Sequence, residues 1–286
     1  MCASLVIAET KANVIPGRNK ELLSTLSDYA ETAMPAGLLI RLFPKFLRPT
    51  IGGLVRAWRI RRYHSSLFQT LVPPIAKLVR ESQQAEKPST TEQSTFVSWW
   101  LQEAIDTQNS KAMDPAVIAA VIVQLTFAGL HTTTLTTTSA MYHILSYKDS
   151  ATLIEELREE IAQSSADSKG HWTWARLEKM TLLDSVVRES LRCAPIDAIA
   201  INRTIVKDVE TPDGLKLSAG TRVCVPAYLA HVDEGHYVDA SAFYPYRFVR
   251  STEKAWTVTD NFTTFGNGVH VSSLWNFRES ERKLVE

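Results

Sequence analysis

One stretch of this chain constrains its fold more than any other. From Asp114-Pro115 to about Tyr147, no further proline interrupts a run rich in Ala, Val, Ile, Leu and Thr. Asp before Pro is a sharp helix start, because the carboxylate caps a free N–H group and Pro at the first position has no N–H that needs a partner. The pattern predicts one helix over residues 115–147, long for a globular protein. Its first half is apolar on nearly every face, and such a helix crosses the middle of a core. The longest apolar run, 116–130, is broken by Gln124 and Thr126 and falls short of the roughly 20 residues a spanning helix needs.

The surrounding segments are also helical up to Pro195. Residues 17–32 put Leu22, Leu23, Leu26 and Tyr29 on one face. Residues 36–54 are amphipathic, basic and broken by Pro44 and Pro49, which reads as a short helix and loop packed on the body; resting on a membrane surface is the alternative. A basic helix over 54–80 clusters Arg56, Arg59, Arg61 and Arg62, a solvated face or an anion contact. A polar loop at 83–94 and a short helix at 96–107 with Trp99 and Trp100 follow, then a charged helix at 149–162 and one or two helices within 172–192. After Pro195 the period changes to two: 200–206 and 222–226 alternate as strands around a turn at Thr211-Pro212-Asp213-Gly214. The fold class is therefore mainly α with a small β portion after the helical body.

Composition narrows function. The chain has 286 residues, enough for one large core or two modest ones. With 45% hydrophobic and 22% charged residues, wholesale disorder is excluded. Lys+Arg and Asp+Glu are 31 each, so there is no global basic field for nucleic acid. Three widely spaced cysteines form neither a disulfide framework nor a zinc pattern. The start, with its short apolar stretch before Glu9, does not read as a signal peptide.

Three local patterns could carry chemistry. Phe127-Ala128-Gly129-Leu130-His131-Thr132-Thr133-Thr134 lies midway along the long helix, where small residues admit a flat ligand or simply a packing notch. Glu189-Ser190-Leu191-Arg192 places a carboxylate and a guanidinium on one helix face, as a buried pair or a surface salt bridge. Phe243-Tyr244-Pro245-Tyr246-Arg247-Phe248 is an aromatic loop with one Arg, a packed loop if taken alone. Leu183-Asp184-Ser185 precedes the second pattern, Ala230-His231-Val232-Asp233 precedes the third, and Phe265-Gly266-Asn267-Gly268-Val269-His270 follows it.

In this order, over roughly residues 15–270, the motifs resemble those of the cytochrome P450 family, specifically the fungal secondary-metabolism P450 monooxygenases. The resemblance implies an incomplete cytochrome P450-like fold over 1–270, without the family's first helices and membrane anchor. It implies a haem (heme) cofactor contacted by Ala128, Gly129, Phe265 and His270, the last at the position that bonds a propionate. It implies a buried triad of Glu189, Arg192 and Arg247 bracing the haem loop. Thr132 takes the place of the family's threonine in oxygen activation and proton delivery. The residue before it is usually acidic; here His131 stands there, and an imidazole can relay protons. By the same resemblance the partners are a lipophilic small-molecule substrate, terpenoid or polyketide, and an NADPH-dependent reductase. The location implied is the endoplasmic reticulum membrane surface, or the cytoplasm for a chain without the anchor.

The family's cysteine thiolate, two positions after the basic residue, is Ser272 here. A neutral hydroxyl is a poor ligand for iron where a soft thiolate is needed. Cys2, Cys193 and Cys224 all precede the loop. Residues 271–286 depart from the family pattern. Val-Ser directly after His270 is what a read-through splice donor encodes, so this tail reads as translated intron or the product of a truncating change. Three functions compete: a haem-thiolate monooxygenase misrepresented by its gene model, an inactive remnant of one, and a non-catalytic helical binding or scaffold protein.

Overall fold

The computed structural model describes residues 24–29, 31, 39–40, 42–44, 46–55, 61–84, 96–166 and 173–267; at 55, 61–64, 84, 165–166 and 174–175 it describes the backbone only. The start of the 17–32 helix, the Arg56–Arg62 side chains, most of the 83–94 loop, and all of 268–286, with His270 and Ser272, lie outside the described residues. The helices are α1 (Arg48–Val55), α2 (Arg61–Gln84), α3 (Phe96–Asp106), α4 (Pro115–Ser146), α5 (Ser150–Ala166), α6 (Trp174–Glu178), α7 (Thr181–Cys193) and α8 (Ala227–His231). The strands are β1 (Ala200–Thr204), β2 (Val209–Glu210), β3 (Lys216–Leu217) and β4 (Arg222–Val225). Two compact units divide the chain, Met1–Thr132 and Thr133–Glu286.

In the first unit, α2 buries Leu67, Leu71, Ile75 and Val79, one residue per turn on a single face. They pack with Leu26, with Val97 and Leu101 of α3, and with Ile118, Ala119, Ile122 and Val123 of α4. Asp114 caps α4 by accepting the Ala116 N–H at 2.8 Å.

The helix start follows the sequence, but the burial does not. Only the stripe of Ile118, Ala119, Ile122, Val123 and Thr126 is buried in the first half of α4, whereas Val117 and Leu125 are exposed, as are Leu135, Met141 and Leu145 further on. Apolar composition all round a helix states what could be buried; the neighbours decide which face is. The apolar stretch also outlasts the run ending at Leu130. By length and composition α4 is long and apolar enough to cross a membrane, although its buried stripe packs into a protein core.

The second unit has its own core of Leu153, Leu157 and Val186, flanked by Ile144, Tyr147, Leu182, Leu183, Phe243 and Tyr246. Its β portion is not one sheet but two ribbons, β1 with β4 and β2 with β3, both antiparallel. The β2–β3 pair is closed by the 211–214 turn, where Gly214 takes φ 84 and Thr211 N–H bonds Leu215 O at 2.9 Å. The β1–β4 ladder is irregular between Ala200 and Arg203, where Ile201 takes φ 51. Beyond α8, residues 232–267 contain turns and one isolated bridge, Thr259 with Phe262. Side chains of α7 hold this segment in place.

Candidate functional site

Helix α7 is amphipathic in an unusual sense: both faces are buried. Val186 and Leu191 are apolar and covered, and Ser185, Arg188, Glu189 and Arg192 are covered too. Asp184, Ser185, Arg188, Glu189 and Arg192 follow the i, i+1, i+4, i+5, i+8 spacing of one stripe. Burying polar groups is costly unless they are bonded, and the 232–267 segment supplies most of the partners, although Arg188 Nε and Ser190 Oγ find none among the described residues. The N-terminus of α7 is held separately: the Glu160 carboxylate of α5 accepts the Leu182 and Leu183 N–H groups at 2.8 and 2.9 Å. An anion there also complements the helix dipole.

The structure brings Glu189, Arg192 and Arg247 together. Arg192 donates Nε to Glu189 Oε2 and Nη2 to Oε1, both at 2.8 Å, a bidentate pair with both side chains 0% exposed. Arg247 Nε reaches the same carboxylate at 3.0 and 3.1 Å, and the Tyr244 N–H adds a bond at 2.9 Å. One carboxylate thus serves two guanidiniums and a backbone amide. The remaining guanidinium hydrogens go to carbonyls. Arg192 donates to His231 O, Ala240 O and Ala242 O at 2.8, 2.5 and 2.9 Å. Arg247 donates to Val238 O at 2.7 Å. Burial alone lowers the Arg192 pKa, but its hydrogen bond to Glu189 and the Glu189 charge outweigh that, and the net direction is up.

Two neighbours on the stripe were given no role from sequence: Ser185, which stood only in the supporting Leu183-Asp184-Ser185 pattern, and Arg188. The Ser185 hydroxyl donates to Pro245 O at 2.6 Å and accepts the Phe248 N–H at 3.0 Å, fixing both sides of Arg247. Arg188 donates to Lys254 O at 2.5 Å, to Thr257 O at 2.8 Å and to Glu253 Oε2 at 2.7 Å. Its guanidinium lies 4.1 Å from the Phe262 ring centroid and 4.9 Å from that of Phe248. Burial lowers its pKa, and the Glu253 charge opposes that. Arg188 directly precedes Glu189, and its membership of the same stripe was the available signal.

The other candidates are placed as follows. Thr132 Oγ1 donates to Ala128 O at 2.7 Å, one turn back in α4. His131 is half-buried, edge-on to Phe127 at 6.0 Å, and its Nε2 has no hydrogen-bond partner among the described residues. Ala128 is exposed and Gly129 half-buried. Phe265 is half-buried in a turn where Gly266 takes φ 87 and its N–H bonds Thr263 O at 2.9 Å. Cys193 ends α7, with its Sγ 3.2 Å from Arg192 Nη2. Burial, then the Glu189 charge, pushes its thiol up to about 11. Cys224 is free and exposed in β4.

A cavity of about 720 Å³ adjoins the triad, lined in part by His143, Tyr147, Phe243, Tyr244, Tyr246 and Arg247. The His143 ring stacks on Phe243 at 4.8 Å, and burial lowers the His143 pKa.

The cytochrome P450 family model matches residues 18–271. Cytochrome P450 monooxygenase htyF of Aspergillus rugulosus is 30% identical over 276 residues, covering 88% of this chain and 40% of that protein. Cytochrome P450 monooxygenase olcJ of Penicillium canescens is 28% identical, covering 98% of this chain and 53% of its own length. Cytochrome P450 monooxygenase ptmQ of Penicillium ochrochloron is 28% identical, covering 87% and 47%. The chain spans about half the length of these curated relatives. With a mainly helical architecture and a match over most of its length, the chain belongs to the cytochrome P450 family.

Proposed function

We propose that this chain is the body of a fungal secondary-metabolism P450 that has lost haem-thiolate chemistry. The lineage reaction is oxidation of a C–H bond in a lipophilic metabolite, terpenoid or polyketide, with electrons from an NADPH-dependent reductase at the endoplasmic reticulum surface. The observation that carries the lineage is the Glu189–Arg192–Arg247 cluster, its Glu189 and Arg192 wholly buried and Arg247 partly exposed, closed by the Tyr244 amide, in a chain of this family. The donor set does not fit the cofactor's usual axial ligation. Ser272 stands where the cysteine belongs. Cys193 is held against Glu189 and Arg192 with its thiolate disfavoured, and Cys224 is exposed on a ribbon. In this reading Thr132 and His131 keep family positions without the family's reaction, and Ala128, Gly129, Phe265 and His270 remain candidate haem contacts.

The test is reconstitution of the 286-residue chain with haemin, followed by a reduced CO-difference spectrum. The expected result is no thiolate-type Soret band, and a clear one overturns the reading. A band that arises only in the Ser272→Cys variant assigns the loss to the ligand alone. A second reading, a working monooxygenase encoded by differently spliced transcripts, is favoured by the family match ending at residue 271. Transcripts joining the His270 codon to a cysteine-bearing continuation support it; transcripts that all retain the Val271–Glu286 codons exclude it.

A further inference from the structure

We propose that His231 is a positioning residue, a neutral imidazole latch that ties the Glu189–Arg192 cluster to the backbone entering the Phe265–Gly266 turn and lets go when it takes up a proton. The inference builds on the P450-body reading, since that turn opens the family's cofactor loop, but its geometry stands without the cofactor.

His231 is the last residue of α8 and is completely buried. It makes two contacts of different kinds. Its carbonyl accepts Arg192 Nη1 at 2.8 Å, which fixes it to the triad. Its Nε2 accepts the Thr263 N–H at 3.0 Å, a bond across 32 residues of chain. The ring stacks on Phe262 at 5.2 Å and 15°, and the Arg188 guanidinium lies 4.1 Å from the same Phe262 centroid. Thr263 O in turn accepts the Gly266 N–H that closes the turn. One residue therefore links three parts: its carbonyl holds α7, and its imidazole ties α8 to the 262–266 segment.

The link depends on charge state. An acceptor at Nε2 requires that nitrogen to be unprotonated, so the ring proton sits on Nδ1, which is buried and has no partner among the described residues. A second proton would set N–H against N–H at Thr263. The charged groups facing the ring are the guanidiniums of Arg192 and Arg188, both from α7. Glu189 and Glu253 pair with those guanidiniums, and the ring of Tyr237 lies 5.1 Å from Arg192. Burial first, and then the Arg192 charge, lowers the His231 pKa to about 4. At neutral pH the latch is closed, and it opens only in acid.

Amide hydrogen exchange on the full chain, with no haem added, tests this. The peptide spanning 259–267 is followed as a protection factor between pH 7 and pH 4, in the wild type, in His231→Gln and in His231→Phe. Gln keeps a side-chain acceptor and does not titrate, whereas Phe keeps the stack and loses the acceptor. The wild type is expected to lose at least about tenfold protection in this peptide toward pH 4, with His231→Gln holding its protection and His231→Phe lacking it even at pH 7. Parallel acid loss in the wild type and His231→Gln overturns the proposal, as does full protection in His231→Phe. If His231→Phe does not fold, the comparison of wild type with His231→Gln decides alone. Because no cofactor is present, failure here leaves the haem reading untouched, and failure of reconstitution leaves the latch untouched.

Discussion

Glu189 is the residue on which the second unit turns. Its two oxygens accept from Arg192, Arg247 and the Tyr244 amide, and its side chain is wholly buried. Replacing it with Gln leaves two guanidiniums without their anion, a loss expected to cost about 3–5 kcal/mol. Urea denaturation measures it, and a cost below about 1 kcal/mol would mean the surrounding carbonyls carry the cluster. Cys193 offers a second check. With its thiol pushed up to about 11, it forms thiolate only as pH rises toward that value. Iodoacetamide near pH 8 is expected to modify exposed Cys224 well before Cys193, as read by peptide mass spectrometry. His231 adds a pH dependence whose sign follows from its lowered pKa. Above about pH 6.5 folded and unfolded chains both hold it neutral. As pH falls from 6.5 to about 4, the unfolded chain binds a proton the folded chain refuses, so stability declines by up to a few kcal/mol and then levels off. Urea midpoints across that window should slope less in His231→Gln than in the wild type.

At the scale of elements, α7 is a template for a segment that has almost no ladder of its own. Its stripe reaches backbone groups of residues 240, 242, 244, 245, 248, 254, 255 and 257. The start of the template is set by Glu160 on a different helix. Glu160→Ala removes the acceptor of two N–H groups and an anion at the positive end of α7. The expected loss is about 1–2 kcal/mol, measured by thermal denaturation. The three-residue spacing of Glu189 and Arg192 made their pairing legible from sequence, because helix geometry alone brings them together. The role of Glu160 was not legible, since it lies 22 residues from Leu182 and carries no local cap pattern.

For the whole molecule, the two hydrophobic clusters have no residue in common among the described residues. Leu71→Ala in one and Leu153→Ala in the other should each cost about 2–5 kcal/mol. The double variant should match their sum within about 0.5 kcal/mol, and a larger departure would mean the cores are coupled. The sequence by itself determined the capped start of α4, the helical body before Pro195, the change of period after it, the order of motifs, and the serine at position 272. These are local periodicities and residue identities, which need no knowledge of distant neighbours. Only the tertiary structure decided which stripe of α4 is buried, that the β portion is two ribbons, and that Ser185, Arg188 and His231 belong with the triad. The reason is physical. Their partners are mostly backbone carbonyls and amides between 32 and 69 residues away, and every residue has the same backbone groups, so nothing in the sequence marks which of them a buried side chain will find.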